Sequence, residues 1–175
     1  MSSVKLGDRL LVVGCSDTRL VAALAIKAGL TGRTCMVDES ESLRTHAAVA
    51  VEREGALVES FAAPYTSLPF DSSAFDVVVM RNVLTRIDPE RRQQMAAESQ
   101  RVLRPGGRCT VIEGEPRRGV GGLFRGTRRD QQHRVGGDAE EILTSVGFRA
   151  VRTLAEREGL VFVEGVKARV EPVSG

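Results

Sequence analysis

At 175 residues, with 42% hydrophobic and 27% charged content, the chain has the length of one ordinary domain and enough apolar side chains for a buried core. Lys and Arg number 25 against 23 Asp and Glu, and the resulting net charge of +2 argues against both a strongly basic nucleic-acid binder and an acidic solvating tail. No run of about eighteen apolar residues occurs, and Met1 to Lys5 lacks the charged-then-apolar order of a secretory signal, so no membrane insertion and a cytoplasmic location are expected.

Short apolar runs alternate with helix-length amphipathic stretches. Leu10 to Gly14 reads as a strand and Leu20 to Ala28 as a helix; Thr34 to Val37 precedes Leu43 to Glu52; Val58 to Ala62 gives a third strand; Phe75 to Met80 precedes Arg91 to Leu103. That alternation predicts βαβ units and a parallel sheet. Gly29 and Gly55 close the first two helices, while Asp88-Pro89-Glu90 supplies an N-cap, a proline at the first helical position and an acid in the first turn. In Arg101-Val102-Leu103-Arg104-Pro105-Gly106-Gly107-Arg108, Pro105 cannot continue the helix, and the two glycines allow a sharp reversal into the apolar strand Cys109 to Ile112.

Next, Glu115 to Gly137 holds Arg117, Arg118, Arg125, Arg128, Arg129 and Arg134 among glycines, has no apolar period, and reads as a mobile basic loop. Asp138-Ala139-Glu140-Glu141 resembles a capping box opening a helix that Gly147 closes. Phe148 to Leu154 and Leu160 to Val166, joined by the turn-rich Ala155 to Gly159, predict an antiparallel hairpin. Cys15, Cys35 and Cys109 lie far apart without Cys-x-x-Cys spacing and read as small core residues, so no metal is expected. Trp is absent and Tyr65 is the sole tyrosine, which leaves little for a base-stacking platform.

Four stretches, in this order and spacing, resemble the class I S-adenosylmethionine-dependent methyltransferases, including those that methylate quinone precursors. They are Leu11-Val12-Val13-Gly14-Cys15, Gly32 to Ser40 with its acid Asp38, Leu68-Pro69-Phe70 followed by Ala74 to Val79, and Val102 to Gly107. The resemblance implies an α/β, Rossmann-like fold: a seven-stranded, mostly parallel sheet with helices on both faces and an antiparallel C-terminal hairpin, in a single domain over 1–175. It also implies S-adenosylmethionine as cofactor. Gly14, Cys15 and Ser16 would lie beside its methionine and ribose, and Asp38 would accept hydrogen bonds from the ribose hydroxyls. Glu39, Leu68 and Arg81 complete the implied cofactor set.

The chain departs from that pattern in several places. Where the family usually reads Gly-x-Gly-x-Gly, the turn reads Gly14-Cys15-Ser16-Asp17-Thr18, and Ser16 and Asp17 are good N-cap residues that could fill the cofactor's place themselves. Val12 replaces an acid near the methionine ammonium, and Pro64 replaces a polar contact to the adenine. Methyl transfer from a sulfonium needs alignment more than acid-base chemistry; the candidate catalytic residues are His133, in the loop over the crevice, with Asn82 and Arg81 at the end of strand four. Arg81 and Arg86 suit an anionic acceptor, although arginines flanking a helix are commonly just solvated. Glu113 and Glu115 end strand five and either face the site or pair with nearby arginines; His46 reads as a surface residue of the second helix.

Only about eight residues precede the first strand, where relatives carry covering helices, so the basic loop covers that side, a protein partner does, or the crevice stays open to water. Two functions stay open: a methyltransferase acting on a small, anionic molecule, and a non-catalytic member serving as a binding or assembly partner. Nucleic-acid contact through the arginine-rich loop is disfavoured by the near-neutral net charge and the scarcity of aromatic residues.

Overall fold

A computed structural model describes residues 4–114, 137–157 and 159–169; the arginines of the expected basic loop, with Glu115 and His133, lie outside the described residues. In chain order the elements are β1 (Arg9–Val13), α1 (Thr18–Ala28), β2 (Arg33–Asp38), α2 (Glu41–Arg53), β3 (Glu59–Ala62), β4 (Phe75–Arg81), α3 (Pro89–Val102) and β5 (Leu103–Gly114). A helix over 137–145, here α4, then leads to β6 (Phe148–Arg157) and β7 (Leu160–Lys167). The sheet runs β3-β2-β1-β4-β5-β7-β6, with β7 antiparallel to both neighbours and the other pairs parallel. The expected seven-stranded fold with its antiparallel C-terminal hairpin is borne out.

Both faces of the sheet are covered, which is why its central strands are near-continuous apolar runs. Successive side chains of a strand point to opposite faces. Leu10 and Val12 of β1 therefore join Val21, Leu24 and Ala25 of α1 and Val51 of α2, while Leu11 and Val13 join Met95 and Val102 of α3 and Leu143 of α4. Among the described residues no helix is long and apolar enough to cross a membrane.

Three boundaries differ from expectation. The Pro-Gly-Gly run does not separate helix from strand, because α3 stops at Val102 and β5 begins at once. Leu103 pairs with Phe75 and Arg108 with Val77, so Arg104–Gly107 bulges opposite the single residue Asp76. A Cβ on Gly107 would sit 3.0 Å from the Asp76 carbonyl oxygen, so the bulge hugs its partner strand. The hairpin is also tighter than expected: Arg157 already pairs with Leu160, which puts most of Ala155 to Gly159 inside the ladder. Finally, the chain is already helical at 137, so Asp138 lies within α4 instead of capping it from outside.

Asp76 locks the bulge. It accepts hydrogen bonds from the Arg9 backbone N–H at 2.8 Å, from Arg9 Nε at 3.1 Å and from Arg104 Nε. Burial alone would raise its carboxyl pKa, but the two guanidinium groups outweigh burial and bring it down to about 2. Because the folded value lies below the unfolded one, this stabilisation is complete above about pH 4 and is lost as pH falls toward 2. Both arginines are half exposed, with side-chain exposures of 45% and 47%, so solvent discounts the contribution to about 1–2 kcal/mol. Asp76→Asn should lower the neutral-pH unfolding free energy by that amount, and the gap to wild type should close in urea titrations repeated down to pH 2.

Candidate active site at the carboxyl tips of β1, β2 and β4

From β1 the chain proceeds through α1 to β2 on one side, and from β4 through α3 to β5 on the other. The β1/β4 junction is therefore the switch point of the sheet, outside whose carboxyl ends such folds form a ligand crevice.

Gly14 ends β1 there. Its N–H donates to the Val37 carbonyl at 2.9 Å and its φ is +89°, a conformation that side chains rarely adopt. A Cβ on it would meet the Arg81 carbonyl oxygen at 2.4 Å and Val83 Cγ1 at 2.7 Å. The first glycine of the turn is thus required by packing of β1 on β4. The next N–H, of Cys15, donates to Asp38 Oδ2 at 2.8 Å, and Asp38 Oδ1 accepts from the Ser40 N–H at 2.9 Å. Asp38 is fully buried. Residues 14 and 38, 24 positions apart in the chain, meet at neighbouring strand tips.

Around Asp38 lie Arg86, whose Nη1 stands 3.8 Å from Oδ2, and Tyr65. Burial first, and then the Asp38 charge, push the Tyr65 phenol above its ordinary range. The hydroxyl is itself buried and has no hydrogen-bond partner of normal geometry among the described residues. The Cys15 thiol is pushed up to about 12 by burial and by Asp38, so it is an unreactive core group, as are Cys35 and Cys109.

The other expected site residues are drawn into holding loops together. Glu39 Oε1 accepts from the Tyr65 N–H at 3.2 Å and from Arg91 Nη2 at 3.1 Å. Leu68 is a core residue whose N–H is taken by Glu98 at 2.8 Å and whose carbonyl is taken by Arg101 at 3.1 Å. Ser16 is exposed, and Asp17, not Ser16, caps α1 through Oδ1 and the Leu20 N–H at 3.1 Å. Arg81 is only 2% exposed. Its Nε pairs with Asp17 Oδ2 at 3.1 Å, and its Nη1 donates to the Gly114 carbonyl at 3.0 Å and to the Asn82 side chain. Asn82 Oδ1 also accepts the Gly114 N–H at 3.0 Å. His46 is exposed on α2, and His133 lies outside the described residues.

Glu113, at the end of β5, is 1% exposed and accepts from the Val83 N–H at 2.8 Å, the Leu84 N–H at 2.9 Å and Thr85 Oγ1 at 3.0 Å. It staples the segment after β4 to β5. Burial raises its carboxyl pKa, and these hydrogen bonds offset only part of the rise. Since the folded value lies above the unfolded one, its contribution is fully present below pH 4.5 and is lost as pH rises through the raised value. Glu113→Gln should therefore gain on wild type in unfolding free energy as pH climbs from 4 to 7; a constant difference across that range would show that Glu113 titrates normally.

Sequence reasoning missed the Asp17–Arg81 pair and the place of Tyr65 beside Asp38. Asp17 was legible as a helix cap, but its second partner lies 64 residues away and leaves no local signal.

Comparison with known proteins agrees with this geometry. A family model described as a methyltransferase domain matches residues 10–107, more than half of the chain. The ubiquinone/menaquinone biosynthesis C-methyltransferase of Burkholderia mallei is 30% identical over 112 residues, which cover 64% of this chain and 45% of that enzyme, so the match spans less than half of the relative's length. Among solved structures, an S-adenosylmethionine-dependent methyltransferase from Aquifex aeolicus superposes with a TM-score of 0.74 at 19% identity, covering 94% of this chain and 84% of the other. A Haloferax volcanii methyltransferase, solved with its Trm112 activator, superposes with a TM-score of 0.70 at 15% identity over 97% and 86% of the two chains. At these identities the structural likenesses are likenesses of fold.

Proposed function

Since the chain belongs to the methyltransferase-domain family, whose cofactor is S-adenosylmethionine, we propose that it binds this cofactor in the crevice at the tips of β1, β2 and β4 and transfers the methyl group to a small, anionic molecule. The observation that carries the reading is the contact of the Gly14–Cys15 turn with Asp38 at the switch point.

The residues present fit such a ligand. Each Asp38 oxygen takes one backbone N–H, and a carboxylate offers about four acceptor positions, so room remains for the two ribose hydroxyls. The buried Tyr65 hydroxyl, which lacks a well-formed partner among the described residues, adds a polar group on the same side. Arg86, 38% exposed and at a long 3.8 Å from Asp38, is the side chain whose displacement would open the carboxylate. Gly14 lets the turn approach closely, and Asp17 supplies a carboxylate for a cationic ligand. When bound, the cofactor supplies an electrophilic methyl group on a sulfonium. The chain's part is alignment: Glu113 fixes segment 83–85, and Arg86 and Arg91 lie beside the crevice acids, where they suit an anionic acceptor.

The internal use of Arg81, Asn82 and Glu39 favours a second reading, in which the fold is kept without catalysis and serves as a binding or assembly partner. The Haloferax relative with its activator protein supports a protein partner under either reading. Calorimetric titration with S-adenosylmethionine separates the two. Saturable binding in the micromolar range is expected for the methyltransferase, and no heat at millimolar ligand would leave the scaffold.

A further inference from the structure

We propose that Asp17 is the carboxylate that receives the cofactor's α-ammonium, and that the Arg81 guanidinium now paired with it competes for that place and so sets the affinity. The inference rests on the reading that S-adenosylmethionine enters this crevice.

Arg81 leaves the end of β4 on one side of the switch point and reaches across to the β1–α1 turn, where its Nε lies 3.1 Å from Asp17 Oδ2. Its other contacts are the Asn82 side chain and, on β5, the Gly114 carbonyl at 3.0 Å and the Ile112 carbonyl at 3.4 Å. A buried guanidinium needs such pairing, and this one achieves it by bridging the end of β4, the end of β5 and the β1–α1 turn.

S-adenosylmethionine brings two cationic centres, the sulfonium and the α-ammonium, and a buried cation needs a carboxylate. Four described acids offer themselves at these tips. Asp38 already holds two backbone amides, Glu113 holds segment 83–85, and Glu39 holds the Tyr65 N–H and Arg91 through one oxygen, so freeing any of these for a cation would unfasten a loop. Asp17 differs because its two oxygens have separate duties: Oδ1 caps α1 through the Leu20 N–H, while Oδ2 pairs with the Arg81 side chain. Oδ2 can therefore exchange one cationic donor for another with the cap intact. An ammonium and a guanidinium are alternative donors to the same oxygen.

The test is calorimetry on the whole chain with two probes, S-adenosylmethionine and 5′-methylthioadenosine, which shares the nucleoside but has no amino-acid end. Arg81→Met should tighten S-adenosylmethionine binding about tenfold and leave methylthioadenosine unchanged, because only the first ligand carries the competing ammonium. Asp17→Asn keeps a good N-cap and should weaken S-adenosylmethionine about tenfold, again with methylthioadenosine unchanged. In the Asp17→Asn background, Arg81→Met should bring no gain. Unchanged or weaker S-adenosylmethionine binding in Arg81→Met, or parallel changes for both ligands, would overturn the proposal. Should Arg81→Met fail to fold, the Asp17→Asn arm decides alone: an unchanged affinity for S-adenosylmethionine rejects the role of Asp17. If neither probe binds any form, the cofactor reading itself fails; if methylthioadenosine binds and neither variant moves S-adenosylmethionine, the role of Asp17 and the competition both fail while the cofactor reading stands.

Discussion

Gly14→Ala is expected to cost about 3–4 kcal/mol, roughly 1–2 from holding an L-residue at positive φ and the remainder from overpacking. The added methyl group would stand 2.4 Å from the Arg81 carbonyl oxygen and 2.7 Å from Val83 Cγ1. The first contact is backbone of the neighbouring strand, so relief requires β1 and β4 to separate at their tips. A domain of this size is stable by only about 5–15 kcal/mol, which makes the effect visible as a large fall in the urea midpoint. The Cys15 N–H would move with the turn, loosening its bond to Asp38, so the same variant should lose cofactor binding. A change below about 1 kcal/mol in urea unfolding would mean that the tips are packed less closely than these distances imply.

Asp38→Ala is expected to be comparably severe, because it strands the buried N–H of Cys15 and the half-buried N–H of Ser40, which bond to its carboxylate at 2.8 and 2.9 Å. Hydrogen bonds to charged groups are worth about 1.5–3 kcal/mol each, and a stranded donor pays its desolvation in full, so a loss of about 3–4 kcal/mol should follow. Asp38→Asn tells structure from ligand binding. Its amide keeps one acceptor oxygen and turns a donor toward the other N–H, which should recover roughly half the stability. The ribose hydroxyls would still lose a charged acceptor, and S-adenosylmethionine affinity should fall about tenfold or more. Wild-type affinity in a folded Asp38→Asn protein would remove Asp38 from the ligand's contacts and leave it a purely structural staple.

The fold was largely legible because both of its determinants are local. Apolar runs of strand length, alternating with amphipathic stretches and punctuated by Gly29, Gly55 and Asp88-Pro89, specify the units one by one, and the sheet order follows once those units wind to either side of β1 and β4. The errors arose where pairing overrides local propensity. Pro105, Gly106 and Gly107 carry the chemistry of a chain break, yet the register between Phe75 and Val77 absorbs them as a bulge. Ala155 to Arg157 read as turn, yet cross-strand partners extend β6 through them.

The site was only partly legible. Gly14 and Asp38 announce themselves through a glycine and an acid at predicted strand ends. That Arg81 turns inward to Asp17, and that Glu113 holds Val83 and Leu84, depends on partners at least 29 residues distant, and no periodicity encodes such pairings.

An amide NMR titration of the whole chain with S-adenosylmethionine shows whether the ligand enters where the Gly14–Cys15 turn meets Asp38. The backbone signals of Gly14, Cys15 and Ser40 should shift together and saturate at one dissociation constant. Saturable binding that leaves those three signals in place while others move would put the ligand elsewhere on the molecule.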